Sequence, residues 1–238
     1  MLILIFIAQL FFCVRCTMEA TIRNGALKLR VLSTAGVPRL ELAEGNDQGG
    51  LELLRVGLER PPSAGVELIE WIADCGSVIC TVPRPLAITH TLLHRGMGVV
   101  IWNHNKEKIF VHQRSSNKRV FPSMYDMLVG GVCSPGEPTA QTLQRELAEE
   151  AGIDLSRSDP GAIKCLGHCR IQTSYNFCQV DCYSVVCSEA QEKSVVFADG
   201  EIQWGEFVTR KYLEEVLLPE KEFVPDGLQV WDWMQGKL

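Results

Sequence analysis

The stretch from Gly131 to Ile153 constrains the fold of this chain more than any other. A glycine-containing loop precedes a segment with helical periodicity, and that segment carries Glu146, Glu149 and Glu150 within five positions. With about 100° of rotation per residue, the three carboxylates lie on one side of a helix. They repel one another unless a cation lies between them, and hard oxygen ligands at this spacing suit Mg²⁺ or Mn²⁺. The sequence therefore predicts a helix that presents a divalent metal site.

The ends and the apolar face of this helix can also be predicted. Pro138 suits the first helical position, and Gly152 suits a left-handed stop. An apolar stripe recurs at helical spacing and lies beside the carboxylates, at Ala140, Leu143, Leu147 and Ala151. We therefore expect one edge of the helix to pack on a sheet while the acids face a groove.

The fixed positions of this stretch are G-x5-E-x7-R-E-U-x-E-E-x-G-U, where U is an aliphatic residue. The pattern resembles the signature of the Nudix hydrolase family at every fixed position. The resemblance implies an α/β fold, an α/β/α sandwich around a mixed sheet. It also implies Mg²⁺- or Mn²⁺-dependent cleavage of a diphosphate bond in a nucleoside diphosphate-linked or similar small molecule. The implied metal ligands are Glu146, Glu149 and Glu150, with a main-chain carbonyl near Gly131.

Three further charged residues have expected roles at this site. Glu137 and Arg145 are expected to form a partly buried ion pair that joins the loop to the helix and aims the helix acids. Glu201 precedes a predicted strand, and many family members carry a glutamate there, so Glu201 is a candidate general base or extra ligand. Glu149 is the other candidate catalytic carboxylate. The sequence leaves open which of the two is the general base.

The segment upstream of the signature narrows the resemblance. Leu93-His-Arg95 and Gln113-Arg-Ser-x-x-Lys118-x-x-x-Pro122 are similar to the branch of the family that includes type 1 isopentenyl-diphosphate isomerase. In the isomerases an Arg and a Lys of this segment contact the diphosphate, and they match Arg114 and Lys118. Both are therefore candidate substrate-binding residues.

Several positions depart from that isomerase pattern. Gly130 stands where the isomerase has a cysteine acid/base, and Val132 stands where it has a metal-binding histidine. His94 matches one metal histidine, but Ala87 replaces its expected partner, and Cys133 is off register. Isomerase-like activity is thus the less favoured alternative to hydrolysis. A non-catalytic nucleotide-binding sensor is a third alternative.

The remaining patterns predict the organisation of the chain. We expect an apolar N-terminal segment at 1–16, a poorly defined extension with a linker at 17–65, and the hydrolase domain at 66–238. A leading β-hairpin is predicted at 68–72 and 77–82, with the turn Asp74-Cys-Gly76 between its strands. A second hairpin is predicted at 98–102 and 108–113. Further strands are predicted at 125–130, 161–172, 176–187 and 201–208, and helices at 211–217 and 226–234.

Composition excludes some functions and leaves others open. A net charge of −6 argues against a nucleic-acid polymer as partner, so we expect a small-molecule diphosphate substrate. The apolar start of the chain is too short to span a bilayer and is either a targeting segment or an unstructured start. We expect a cytoplasmic or organellar protein without a stable membrane span. The oligomeric state cannot be predicted from the sequence.

The ten cysteines are expected to be reduced thiols, because their spacing follows no disulfide framework. Cys178 and Cys182 share a strand face and are expected in the core. A zinc site made from these two with Cys165, His168 and Cys169 is disfavoured, since short knuckle spacing is missing. Four aromatic residues are expected in the core or, alternatively, around a substrate pocket: Phe121, Tyr125, Trp204 and Phe223.

Overall fold

Strands and helices alternate along the described residues, which are 18–22, 27–33, 38–44, 47–173, 175–197 and 199–238 of this computed structural model. The apolar segment 1–16 lies outside them. The strands are β1 (Met18–Ile22), β2 (Leu27–Ser33), β3 (Arg39–Glu44), β4 (Leu68–Ile72), β5 (Val78–Pro83), β6 (His94–Trp102), β7 (Lys108–Arg114), β8 (Tyr125–Asp126), β9 (Val129–Val132), β10 (Ile163–Gln172), β11 (Phe177–Val186) and β12 (Ile202–Thr209). The helices are α1 (Gln48–Glu59), α2 (Arg84–His90), α3 (Thr139–Ala151), α4 (Glu189–Lys193), α5 (Arg210–Tyr212), α6 (Leu218–Glu220) and α7 (Pro225–Met234). A π-helical turn at Leu213–Leu217 joins α5 to α6, and 3₁₀ turns lie at Leu155–Arg157 and Pro160–Ala162.

The central sheet is mixed, as predicted. β6 runs parallel to β11, from His94 opposite Cys178 to Trp102 opposite Val186. All other pairs between named strands in the described sheets are antiparallel, including β4 with β5, β6 with β9, and β7 with β12. The sequence of β6 is almost continuously buried, which suits a strand covered on both faces. The leading hairpin of β4 and β5 is confirmed.

Helices cover both faces of this sheet, which confirms the α/β/α sandwich. On one face Trp231 and Met234 of α7 pack with Leu213 of the π-helical turn in a common core. On the other face Leu143 and Leu147 of α3 pack in a second core. α3 is thereby fixed against β6 and β9, so its polar side is held at the edge of the sheet.

The boundaries of α3 differ slightly from the prediction. Gly152 ends the helix in the left-handed conformation with φ 67°, as expected, but Pro138 precedes the first helical residue. Ala140 is exposed, so the buried stripe begins later than predicted. Thr142 is buried instead, and its hydroxyl is satisfied by donating a hydrogen bond to Glu137 at 3.0 Å.

Residues before position 66 form elements that the sequence patterns did not predict. β1, β2 and β3 make an antiparallel sheet, and α1 follows them. Leu29 and Leu54 from this part share a core with Trp71, Ile79 and Ala87 of the leading hairpin and α2. The segment 60–65 between these parts is exposed. The domain boundary at 66 stays a prediction.

The described cysteines are free thiols, and Cys178 and Cys182 are buried as expected. The Sγ atoms of Cys169 and Cys182 lie 3.7 Å apart, yet no cysteine or histidine belongs to a metal-ligand group within the described residues. Tyr125 packs against Trp204 and Phe223 in the core. None of the described helices combines the length and the apolar character that a membrane crossing needs.

Candidate active site

A cavity of about 420 Å³ opens beside the polar face of α3. It is lined by all the predicted metal, catalytic and substrate-binding residues, which are Arg114, Lys118, Gly131, Glu146, Glu149, Glu150 and Glu201, and by Arg145. Glu137 is not among the lining residues. The fold thus brings together residues from β7, the following loop, β9, α3 and the turn before β12.

Three carboxylates meet most closely in this cavity. Glu150, Asp199 and Glu201 each place a ligand oxygen within 4.8 Å of the others. Glu150 lies on α3 and is only 6% exposed, while Asp199 and Glu201 belong to the turn before β12. The Glu201 amide donates to Asp199 Oδ1 at 2.9 Å, so the turn fixes both acids. Asp199 was missed by the sequence analysis, although its place two residues before Glu201 could have indicated it.

The carboxylates of Glu150, Glu201 and Glu146 disfavour one another's ionisation. Burial raises the pKa of Glu150 to about 9, and its hydrogen bond with Glu201 and the charges of Glu146 and Glu201 act in the same direction. Burial also acts to raise the pKa of Glu201, but hydrogen bonds from Lys118 and Glu150 hold it below its usual range. Oxygen donors that repel one another in a partly buried site fit a divalent ion, because its charge would replace the proton.

The other two helix acids contact Arg145 in this structure. Arg145 Nη1 lies 2.8 Å from Glu146 Oε1 and 3.2 Å from Glu149 Oε2. Glu149 is exposed, whereas burial raises the pKa of Glu146 although Arg145 opposes the shift. The carboxylates of Glu146 and Glu149 are therefore held by a guanidinium, and Glu150 alone of the three joins the tightest acidic group.

Glu137 and Arg145 are in contact across the loop–helix junction. Arg145 Nε lies 3.3 Å from Glu137 Oε1, and Nη2 lies 3.4 Å from Oε2. Glu137 also accepts hydrogen bonds from the Ser134 amide and the Thr142 hydroxyl, each at 3.0 Å. Burial acts to raise the Glu137 pKa, but these donors hold it below its usual range. The pair is partly buried, so this contact ties the loop firmly to the helix.

Gly131 lies directly against Glu146. A Cβ atom at position 131 would overlap the Glu146 carboxylate. The glycine is fixed in β9 by its pairing with Met97 of β6. A side chain here would displace the Glu146 carboxylate from its present position, so this signature glycine allows a close approach rather than a turn.

The two predicted phosphate-binding residues contact other parts of the chain. Arg114 donates from Nε to the Phe121 carbonyl and from Nη2 to the Val120 carbonyl, each at 3.2 Å. Lys118 forms an ion pair with Glu201. Phe121 has a positive φ of 52°, so the loop that Arg114 holds is strained at this point. The sequence did not indicate either set of contacts.

Two positions that carry a cysteine and a histidine in the isomerases carry neither group here. Gly130 and Val132 line the cavity without a thiol or an imidazole. Cys133 is buried and is not among the cavity-lining residues. His94 does line the cavity, and its Nδ1 lies 2.9 Å from the Leu92 carbonyl. The isomerase-like branch is thus not supported by these residues.

Comparison with known proteins agrees with the fold and the signature. The NUDIX domain family model matches residues 92–233. An uncharacterised Nudix hydrolase of Rhodococcus erythropolis is 30% identical over 162 residues, which cover 68% of this chain and 88% of that protein. Another from Streptomyces coelicolor is 31% identical over 175 residues, 71% of this chain and 88% of that protein. The chain belongs to the Nudix family, and these relatives are Nudix hydrolases.

A solved structure shows the same fold. The crystal structure of the protein DR0079 from Deinococcus radiodurans superposes with a TM-score of 0.58 at 19% identity. The likeness covers 71% of this chain and 99% of that one. At this identity the likeness supports the arrangement of sheet and helices alone.

Proposed function

We propose that this protein hydrolyses a diphosphate bond in a nucleoside diphosphate-linked or similar small molecule, with Mg²⁺ or Mn²⁺ as cofactor. The observation that carries the proposal is the meeting of Glu150, Asp199 and Glu201 within 4.8 Å in a cavity lined by the signature helix. Such a group of anions has little structural benefit, since each raises the cost of ionising the next. It is well suited to bind a hard divalent ion.

The residues that would hold the ion are Glu146, Glu149 and Glu150, a main-chain carbonyl near Gly131, and Asp199 as an addition from the structure. Glu201 would be a further ligand or the general base. A bound Mg²⁺ would neutralise charge on phosphate oxygens and lower the pKa of a nearby water. Glu146 and Glu149 line the cavity, and their carboxylates would turn from Arg145 towards the ion.

The other residues would orient the substrate and move the proton. Glu201 or Glu149 would take a proton from the attacking water as general base. Arg114 and Lys118 would bind phosphate oxygens, Lys118 by exchanging Glu201 for the substrate. Glu137 and Arg145 would act as positioning residues that keep α3 and the loop in register.

The test combines metal binding with turnover. Wild-type protein should bind Mn²⁺ or Mg²⁺ in calorimetry and release phosphate or a nucleoside monophosphate from a panel of nucleoside diphosphate derivatives. Glu150→Gln should lower kcat at least about a hundredfold with almost no change in Tm. Glu215→Gln, which removes an exposed carboxylate outside the cavity, is the matched control. Equal turnover in Glu150→Gln would refute the proposal, and saturable nucleotide binding without turnover would indicate a sensor instead.

A further inference from the structure

A turn in the signature loop is held by a residue from outside the signature. The turn runs from Ser134 to Glu137, and the Glu137 amide donates to the Ser134 carbonyl at 2.9 Å. Pro135 is its second residue and Gly136, with a positive φ of 75°, is its third, as in a type II turn. The Gly136 amide donates to Glu70 Oε1 at 2.9 Å, so a side chain 66 positions earlier in the chain, in β4 of the leading hairpin, contacts this turn.

Strand order explains why the leading hairpin reaches this loop. β11 pairs along the whole of β6, so β4 and β9 share the opposite edge of β6. Trp71 of β4 lies opposite His94, and Val132, the last residue of β9, lies opposite Gly96, two residues further along β6. The loop that follows β9 therefore starts beside β4, where Glu70 precedes Trp71.

The second carboxylate oxygen of Glu70 is engaged as well. Glu70 Oε2 lies 2.5 Å from Arg95 Nη2, and the side chains of Glu70 and Arg95 are 11% and 28% exposed. The same Arg95 nitrogen lies 3.5 Å from the Glu137 carbonyl, and the Arg95 carbonyl accepts from the Cys133 amide at 3.1 Å. Glu70 and Arg95 together thus contact the loop at three points, which are Cys133, Gly136 and Glu137.

This loop carries the carboxylate that holds the guanidinium beside the helix acids. Glu137 pairs with Arg145, and Arg145 contacts both Glu146 and Glu149. Residues 134–136 of the turn are exposed, so packing restrains them little and hydrogen bonds to neighbouring strands restrain them more. The contacts of Glu70 and Arg95 therefore bear on the placement of Glu137 and, through Arg145, on the two helix acids.

We infer that Glu70 is a positioning residue for the proposed reaction, which it serves by fixing the turn from which Glu137 holds Arg145. The inference rests on the proposed function and makes activity depend on the leading hairpin as well as on the signature. Glu70 precedes residues 92–233, which the family model matches, and it does not line the cavity. It therefore acts through the loop and not by contact with substrate.

The chemistry of the two contacts indicates a sharp test. Both partners of the Glu70 carboxylate are donors, namely the Gly136 amide and the Arg95 guanidinium. A carboxylate accepts at both oxygens, whereas a side-chain amide of the same shape offers one acceptor and one donor. In Glu70→Gln an N–H group must therefore face another N–H group at one of the two contacts, whichever way the amide is turned. The substitution weakens the link to the loop without changing the volume of the side chain.

Amide hydrogen exchange of the full chain, followed by mass spectrometry without added metal, tests the loop directly. In Glu70→Gln the peptide that covers residues 133–138 should exchange about tenfold faster than in the wild type, while peptides from β6 and α7 should exchange at the wild-type rate. Arg95→Lys is a second variant, in case Glu70→Gln fails to fold, and should speed exchange in the same peptide. Glu214→Gln, which removes a carboxylate from an exposed pair with Arg210, is the matched control and should leave the loop unchanged.

Kinetics and metal binding then distinguish a positioning role from a merely structural one. Glu70→Gln should lower kcat about tenfold and change KM by less than about twofold, since no contact with substrate is lost. Calorimetry should show that Mn²⁺ binds about threefold more weakly to this variant. Arg145→Lys should cost less in the Glu70→Gln background than in the wild type, because both changes act through the same guanidinium.

The outcomes separate this inference from the proposed function. Wild-type exchange of the 133–138 peptide in Glu70→Gln and Arg95→Lys, a uniform rise in exchange along the chain, or unchanged kcat despite faster loop exchange would each overturn the inference. Turnover that depends on Glu150 would support the proposed function in all of these cases. If no protein turned over any substrate, the proposed function would fail, and loop exchange with Mn²⁺ affinity would still decide whether Glu70 positions the loop.

Discussion

Lys118 is paired with Glu201, although the two residues are 83 positions apart in the chain. The lysine that resembles a diphosphate-binding residue thus contacts the carboxylate that resembles a general base. The contact joins the loop after β7 to the turn before β12 and lowers the pKa of Glu201, against the effect of burial. In the proposed function, substrate phosphate and Glu201 would therefore compete for one ammonium group.

This competition predicts coupled effects in a double-mutant cycle. Lys118→Met should lower kcat/KM about tenfold, and Glu201→Gln should lower it further, because each change disrupts the same pair. Because Glu201→Gln frees the ammonium group for phosphate, Lys118→Met should cost more in the Glu201→Gln background than in the wild type. Steady-state kinetics on the best substrate of the panel measures all four proteins. Fully additive losses would mean that Lys118 acts on the substrate independently of Glu201.

Gly131→Ala should inactivate the enzyme by displacing Glu146. The added methyl group would overlap the Glu146 carboxylate where it contacts Arg145, so the Glu146 side chain must turn to a different position. We expect kcat to fall about a hundredfold, with weaker Mn²⁺ binding in calorimetry. Gly236→Ala is the control, since a Cβ there meets no atom within 4 Å. Normal metal affinity in Gly131→Ala would contradict this explanation.

Arg145→Lys tests whether the guanidinium positions the helix acids. Arg145 contacts Glu137, Glu146 and Glu149 at once, and a lysine cannot reproduce that fork. We expect the free energy of unfolding to drop by about 1 kcal/mol, since the contacts are partly exposed, and kcat to drop about tenfold. Arg210→Lys, which alters an exposed pair with Glu214, should preserve kcat. Unchanged kcat in Arg145→Lys would show that Arg145 does not position the helix acids.

Protonation of His112 should make the free energy of unfolding depend on pH. Burial, together with the charges of Arg114 and Lys118, lowers its pKa from 6.5 to about 3, and its buried Nδ1 has no hydrogen-bond partner among the described residues. The unfolded chain therefore takes up a proton before the folded one does, so stability is lost as pH falls from about 6.5 towards 3. Between pH 7 and pH 5 this loss should be roughly 2 kcal/mol.

Urea unfolding of wild type and His112→Gln at the two pH values measures that contribution. On going from pH 7 to pH 5, the wild type should lose roughly 2 kcal/mol more stability than His112→Gln does. The exposed His168→Gln serves as the control and should follow wild type. Parallel pH profiles for wild type and His112→Gln would show that His112 is not the group responsible.

The sequence predicted the central elements because their patterns are local. The strands of the leading hairpin alternate around a turn signal, and α3 has a repeating apolar face and a glycine stop at Gly152. The prediction was weaker where the pattern is short or broken. It did not find β1, β2, β3 and α1, because their apolar residues are buried only against Trp71 and its neighbours.

Several residues named from the sequence line the cavity. The cavity lining includes Glu146, Glu149, Glu150 and Glu201, but their closest contacts could not be foreseen. Arg145 draws two of the helix acids away from the third, and this depends on side-chain rotation. The roles of these residues in metal binding and catalysis stay predictions until the experiments above are done.

The sequence by itself determined the signature helix, the family and the residue types available for catalysis, since a period of 3.6 residues and a fixed motif are written in adjacent positions. Tertiary structure alone decided that Asp199 and Glu201 meet Glu150 and that Lys118 pairs with Glu201. These contacts join segments many residues apart. They depend on strand order and register, which packing of the whole sheet selects and no local pattern specifies.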